Sequence, residues 1–359
     1  MKKLIANFDW SLPVVSLVIL LLGLAIMASI APNSLNQQLF SAILGLLLFF
    51  VFSQLDYQIF SKTSWLFFLG CLLFLATPLV FGTITRGSLR WIQLGKMTLQ
   101  PSELVKPFLI LIFADFFNQP RQFGWRQILK GALFLILPLL LIFFQPDLGS
   151  SLVVFGSWLG VVLAAGVGGW WFLAGGAAAT VFLPLAWRFL QPYQKERILS
   201  FLNTSEDPLG ASYHLIQARV AVGAGQLLGR GWGRGTQSHL QFLPERYTDF
   251  IFASFAEEFG FLGSFVLVLL FAFLLYRLII IAQKAQDNFG FLICLGIFSL
   301  IFGQFFINIG INLALLPITG ITLPLVSYGG SSLLATMICL GIAENIARQG
   351  QLQKIIEIK

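Results

Sequence analysis

The residues best suited to chemistry lie in one stretch, Thr236 to Gly260, reading TQSHLQFLPERYTDFIFASFAEEFG. A polar segment carrying His239, Glu245, Arg246 and Asp249 runs there straight into a long apolar run. Asp249 closes the polar part, and Glu257 and Glu258 follow about two turns along the same helix. A carboxylate at such a boundary ordinarily just faces water. The density of polar groups around Asp249 supports a sharper reading, a reaction centre at a membrane surface. A second group, TRGSLRWIQLGKMTLQPSELVK, sets Arg86, Arg90 and Lys96 beside Trp91. Arginines and backbone amides are the usual holders of phosphate oxygens. The competing reading is a set of snorkelling cations with a Trp anchor at an interface. Glu103 and Lys106, three apart near a helix start, share one face. Ionisable groups inside a span must be paired or face a polar cavity, so they are either a structural pair or a substrate contact.

These residues need elements to hold them, and composition sets the class. Of 359 residues, 57% are hydrophobic and 10% charged, with mean hydropathy +0.87. Apolar runs of about 20 residues recur, long enough to cross a hydrocarbon core as helices. The 38 Phe and nine Trp are too many for one cofactor box and read as lipid-facing, packing and interfacial aromatics. The net charge of +7 points to orientation and anionic lipid rather than to nucleic acid. Cys71, Cys294 and Cys339 all lie in apolar runs and offer neither metal spacing nor a disulfide framework.

The expected fold is an all-α polytopic membrane protein of ten helices in a single domain. Spans are placed at Ser11–Ile30, Gln37–Gln54, Ser64–Phe81, Ser102–Phe117, Gly131–Phe144, Leu148–Ala165, Trp170–Leu190, Phe250–Ile281, Phe289–Leu316 and Leu325–Ala347. The first is longer than a signal-peptide core and lacks a small-residue cleavage site, so it reads as retained. A polar loop over 191–249 separates helices 7 and 8. Orientation follows the cations of the short loops. With the N-terminus inside, Lys2, Lys3, Lys62, Arg121, Arg126, Lys130, Arg277, Lys284, Arg348, Lys354 and Lys359 lie inside, against Arg86, Arg90 and Lys96 outside. Both termini are therefore expected in the cytoplasm, with Asp249 and both polar segments on the opposite face.

Other features carry less. GRGWGRG at 229–235 lacks the strand–loop–helix setting and Gly-Lys-Ser ending of a phosphate loop, and reads equally as a flexible turn or a substrate loop. Asp147 suits a helix cap before Leu148. Asn308 and Asn312, four apart, and SYGGSS at 327–332 read as packing elements. Residues 212–228 space their apolar positions like a short amphipathic helix, lying on the membrane or against the bundle.

The same residues carry a resemblance. GSLRWIQLG, QPSEL, QPDLG, DPLGASYHLIQARVAVGAGQLLGRGW, LPERYTDFIF and LPLVSYGGSS occur in the order seen in the SEDS family (shape, elongation, division and sporulation), and the match runs over nearly the whole chain. The chain resembles its RodA-like more than its FtsW-like branch. The resemblance implies ten transmembrane helices and a peptidoglycan glycosyltransferase polymerising lipid II on the outer face of the bacterial cytoplasmic membrane. It implies a class B penicillin-binding protein as transpeptidase partner. It also places the family's catalytic acid on Asp249, the Trp of its RW motif on Trp91, and its Glu and Lys after QPS on Glu103 and Lys106. Tyr247 stands where the family often has His, leaving Asp249 as the candidate base. On this reading Asp249 takes a proton from the acceptor sugar hydroxyl. The departing pyrophosphate draws on Arg86, Arg90, Lys96, Arg197, Arg219 and Arg246. A divalent cation (Mg or Mn) stays open, with no ligand cluster in view. The alternatives are a transporter of lipid-linked precursor, a division-type relative, and a scaffold for the penicillin-binding partner.

Overall fold

The computed structural model describes residues 8–85, 88–94, 97–118, 125–202, 212–243 and 245–357. Four helices open the chain: α1 (Ser11–Ile30), α2 (Pro32–Gln54), the short α3 (Gln58–Lys62) and α4 (Ser64–Phe81). No charged residue falls within α1, α2 or α4, so an apolar environment can surround them with every backbone bond made internally. Next come β1 (Thr83–Thr85), β2 (Ser88–Leu94) and β3 (Met97–Leu99), then α5 (Pro101–Leu104), α6 (Lys106–Phe117), α7 (Trp125–Phe144), α8 (Leu148–Ala164) and α9 (Gly169–Phe189). The polar region contributes α10 (Pro192–Leu202), α11 (Tyr213–Ala224) and α12 (Thr236–His239). The chain closes with α13 (Ile251–Gln283), α14 (Asn288–Asn312) and α15 (Gly330–Glu357).

Seven of these, α1, α2, α4, α7, α13, α14 and the Gly330–Gln351 part of α15, are long and apolar enough to cross a membrane, and α8 is a shorter apolar helix. The chain is thus a mostly helical, multi-pass membrane protein. The all-α expectation needs one correction. The segment after α4 is a three-stranded antiparallel sheet in the order β1-β2-β3, with Thr83 opposite Trp91 and Gln93 opposite Thr98. Polar backbone between two spans must pair with something, and here it pairs with itself.

The expected span from Ser102 to Phe117 is broken in two. Val105 separates α5 from α6, and Pro107 stands in the first turn of α6, where a missing N–H costs nothing. The expected span from Phe250 to Ile281 is kinked at Gly260, whose φ of 68° and ψ of −167° only glycine adopts without strain. Helix α15 lies at the centre, with 89% of its apolar window buried against 22% for α4 and for α7 at the periphery. It packs along α2, while α14 lies against α13 and α8.

Candidate active site

Asp249 ends a turn that bends back twice, with positive φ at Gln241 (62°) and Glu245 (49°). The Thr248 and Phe250 amides both donate to the Glu245 carbonyl, at 3.1 and 3.2 Å, and the Thr248 hydroxyl donates to Glu245 Oε2 at 3.0 Å. The carbonyls of Tyr247, Thr248 and Asp249 are each held from outside. Tyr247 O accepts the Tyr328 amide at 2.8 Å, and Thr248 O accepts the Ser327 hydroxyl at 2.7 Å. Asp249 O accepts the side-chain amides of Asn308 at 3.0 Å and Asn312 at 2.9 Å. The Tyr247 and Tyr328 rings meet edge to face at 5.6 Å, and the Tyr328 hydroxyl donates to Gln37 Oε1 at 2.7 Å. The side chain of Asp249 is partly exposed and faces Gly320 (φ +75°), where a Cβ would lie 3.8 Å from Oδ2. The result is a partly exposed carboxylate on an immobilised backbone. SYGGSS and the two asparagines, expected to be packing elements, hold the segment that ends at Asp249.

Three of the expected cations gather on neighbouring backbone. Arg197 Nη1 donates to Ile318 O at 3.4 Å, Arg219 Nη2 to Ala314 O at 3.1 Å, and Arg246 Nε to Ile30 O at 3.2 Å. Two of these carbonyls belong to the segment 314–318, which continues into Gly320 beside the Asp249 carboxylate. Each bond fixes a guanidinium that carries five donors in all. His214, passed over in the sequence, joins this region: its ring lies 6.4 Å from Phe250. Burial and the Arg197 charge lower its pKa against a smaller opposing effect of Glu245, which keeps the imidazole neutral at pH 7. A lone His in an apolar helical pattern gives no such signal, because its neighbours lie about 17 and 30 residues away in sequence.

Arg90 has a different place. Its Nε donates to Gln145 O at 3.0 Å, Nη2 to Pro146 O, and Nη1 lies 3.8 Å from Asp147 Oδ1. It latches β2 to the corner between α7 and α8, a structural duty the phosphate-holding expectation did not include. Trp91 sits on the same strand, partly buried. Arg86 and Lys96 lie outside the described residues.

Asp147 caps α8 by accepting the Ser150 amide at 3.1 Å, and it also accepts Gln100 Nε2 at 2.9 Å and the Ser102 hydroxyl at 3.4 Å. Beside it, Lys106 Nζ lies 2.5 Å from Glu103 Oε1, which the Ser150 hydroxyl approaches at 3.4 Å. Lys106 is 2% and Glu103 8% exposed, so this is a pair removed from solvent. The cluster adjoins the Asp249 site through residues 319–331. An added Cβ on Gly149 would lie 2.9 Å from Ile321 Cγ1, and the Gln100 amide donates to the Ser331 hydroxyl at 2.9 Å.

Glu257 and Glu258 are not free acids of a reaction centre. Glu257, fully buried, accepts the Gln237 and Ser238 amides at 2.8 and 3.0 Å and the Ser238 hydroxyl at 2.8 Å, so it caps α12 from across the fold. Glu258 accepts the Ser29 hydroxyl at 2.6 Å and the Gly233 amide at 3.2 Å, and lies 3.0 Å from His239 Nε2. GRGWGRG is an ordered brace. Its Arg230 and Gly231 amides donate to Glu257 O and Glu258 O at 2.9 and 3.1 Å, and Gln226 O and Leu227 O accept the amides of Phe261 and Leu262 at 2.8 and 3.1 Å. These are the backbone groups freed by the kink at Gly260. An open recess of about 320 Å³, lined by Ala224 to Arg230, lies at this brace, about 15 Å of helix from Asp249. Helix α11 lies against the bundle, with Leu215, Ala218 and Ala221 packed on Leu243, Phe250, Ala253 and Ile311.

Comparison with known proteins gives the family. A family model described as cell cycle protein, of the FtsW, RodA and SpoVE type, matches residues 9–352. The chain belongs to the FtsW/RodA/SpoVE family. It is 41% identical over 307 residues to the peptidoglycan glycosyltransferase MrdB of Escherichia coli K12, covering 84% of this chain and 82% of that one. It is 38% identical over 321 residues to stage V sporulation protein E of Bacillus subtilis, covering 87% and 86%. Among solved structures, a chain of a peptidoglycan synthase complex that coordinates polymerization and crosslinking superimposes with a TM-score of 0.82 at 34% identity, covering 96% of this chain and 98% of that one. The rod shape determining protein RodA of Thermus thermophilus gives 0.72 at 30% identity, covering 95% and 97%. This family member thus shares both sequence and fold with RodA-type proteins.

Proposed function

We propose that this chain is a peptidoglycan glycosyltransferase that polymerises lipid II at the outer face of the bacterial cytoplasmic membrane, with Asp249 as general base. The observation that carries the reading is the partly exposed Asp249 carboxylate on a backbone tied at three successive carbonyls. Arg197 and Arg219 are anchored on the 314–318 segment, and Arg246, three residues before Asp249, on the end of α1. As the acceptor sugar hydroxyl attacks the anomeric carbon, Asp249 accepts its proton and the donor's polyprenyl pyrophosphate departs. The guanidiniums meet the charge that develops on the leaving oxygen. The rigid frame needs no reorganisation at that moment, which is where such stabilisation is most effective. Among the described residues no three His, Cys, Asp or Glu side chains gather to hold a metal ion, and no step here is routed through one.

The ten-span arrangement with both termini inside belongs to this reading. Besides the seven long apolar helices, the broken α5–α6 unit, α8 and α9 occupy the remaining three expected positions. A class B penicillin-binding protein is the proposed partner, supported by the likeness to a chain of a synthase complex that coordinates polymerization and crosslinking. Elongation is the proposed setting, since MrdB and RodA proteins are among the relatives.

A transporter of lipid-linked precursor remains the second reading, favoured by one observation, the buried Glu103–Lys106 pair inside the bundle. Purified protein with labelled lipid II in detergent separates the two, because transport has no meaning there. Asp249→Ala is expected to remove glycan ladders, a loss of about 10²–10⁴-fold for a general base, at an unchanged melting temperature. Ladders that survive the substitution would remove Asp249 from this role.

A further inference from the structure

We propose that Asn312, backed by Asn308, is a positioning residue that sets where the Asp249 carboxylate points; the inference rests on the reading of Asp249 as the base. The two asparagines lie four residues apart on one face of α14, and both are fully buried. Asn312 Nδ2 donates to Asp249 O at 2.9 Å, and its Oδ1 accepts the Ala253 amide at 2.8 Å. An α-helical hydrogen bond would join those same two groups, the 253 amide and the 249 carbonyl. The carboxamide of another helix bridges them instead. One planar group therefore holds both ends of the turn in which α13 begins and from which Asp249 projects.

Asn308 completes the frame from the other side. Its Nδ2 donates to Asp249 O at 3.0 Å and to Ile321 O at 2.8 Å. Ile321 follows Gly320, the residue that faces Asp249 Oδ2. Asn308 thus couples the backbone bearing the carboxylate to the segment across from it. Asn312 Nδ2 in turn donates to the Asn308 backbone carbonyl at 2.8 Å and to Asn308 Oδ1 at 3.3 Å, and the second contact orients the two carboxamides against each other. A buried amide must find partners or bear the cost of desolvation, and these two find theirs at Asp249 O, Ala253 N and Ile321 O. A base displaced by about 1 Å loses on the order of 10²-fold in rate without any change in its own chemistry.

The test uses the full chain purified in detergent, reading kcat and KM for lipid II polymerisation together with the melting temperature. Asn312→Asp keeps the acceptor for the Ala253 amide but turns an oxygen toward Asp249 O. Asn308→Ser removes one of the two donors to that carbonyl and leaves the Asn312 bridge intact, so it serves where the first variant fails to fold. The expected result is a fall in kcat of about tenfold or more with KM held within about twofold, at a melting temperature near that of the parent chain in Asn308→Ser and beyond what the lowered melting temperature accounts for in Asn312→Asp. An unchanged kcat in a folded variant, a change confined to KM, or a loss of kcat only in step with thermal stability in both variants would overturn the proposal. Asp249→Asn keeps the two failures apart. If it polymerises lipid II normally, the reading of Asp249 is wrong. If it is inactive while both asparagine variants keep full kcat, the positioning proposal alone falls.

Discussion

At the residue scale the ionisable groups divide by what their oxygens and nitrogens touch. Asp249 is partly exposed, whereas Glu257 and Glu258 are buried and direct their oxygens into backbone amides and hydroxyls of the 229–239 segment. The Glu103–Lys106 pair is a further buried pair with a testable role. Glu103 Oε2 has no hydrogen-bond partner among the described residues, so the pair depends on a single 2.5 Å contact and the Ser150 hydroxyl. Removing one partner strands a charge in a low-dielectric site at about 3–5 kcal/mol. Lys106→Met is therefore expected to lower folded yield and melting temperature, and Glu103→Gln with Lys106→Met to recover both. A Lys106→Met protein with parental thermal stability and no polymerisation would place Lys106 in contact with substrate instead.

At the element scale the decisive device is the break in α13. A continuous helix from Ile251 to Gln283 would close its own hydrogen bonds and leave the 226–231 segment nothing to bind. The kink frees amides and carbonyls on both sides of Gly260, and that segment takes them up, as freed backbone at membrane depth requires. Gly229 and Gly260 meet here without side chains. A Cβ on Gly260 would lie 2.6 Å from the carbonyl carbon of Leu228, and one on Gly229 2.7 Å from the Gly260 amide nitrogen. Gly260→Ala adds about 1–3 kcal/mol of backbone strain to that clash. It is expected to lower the melting temperature and to loosen the 226–239 segment, read as faster proteolysis there. A Gly260→Ala protein as stable and protease-resistant as the parent would show that the helix can run straight.

At the scale of the whole molecule the proposal depends on which face carries Asp249. Lipid-linked precursor can be polymerised outside only if the 191–249 region and Asp249 lie outside. The native Cys71, Cys294 and Cys339 are buried, so a single introduced cysteine reports cleanly. Ser205→Cys is expected to label with a membrane-impermeant maleimide in intact spheroplasts, and Gln353→Cys only after lysis. The reverse pattern would require both the ten-span arrangement and the extracytoplasmic glycosyltransferase to be abandoned.

The sequence alone determined the class and the positions of the apolar helices, and it singled out Asp249 as the candidate base. A hydrocarbon environment imposes a length and a polarity on each span that composition displays directly, and a carboxylate at the edge of such a run stands out. Asp147 was legible as a helix cap because capping is local, acting across three residues. The remaining features depend on partners far apart in the chain. Nothing in the spacing of Asn308 and Asn312 shows that both amides meet a carbonyl about 60 residues earlier. Glu257 and Glu258 look catalytic until the loop that ends at His239 folds over them. Arg90 looks ready for phosphate until Gln145 and Pro146 arrive beside it. Hydrogen bonds between distant segments are settled by how the helices pack, and only the tertiary structure decided which of these polar groups they consumed.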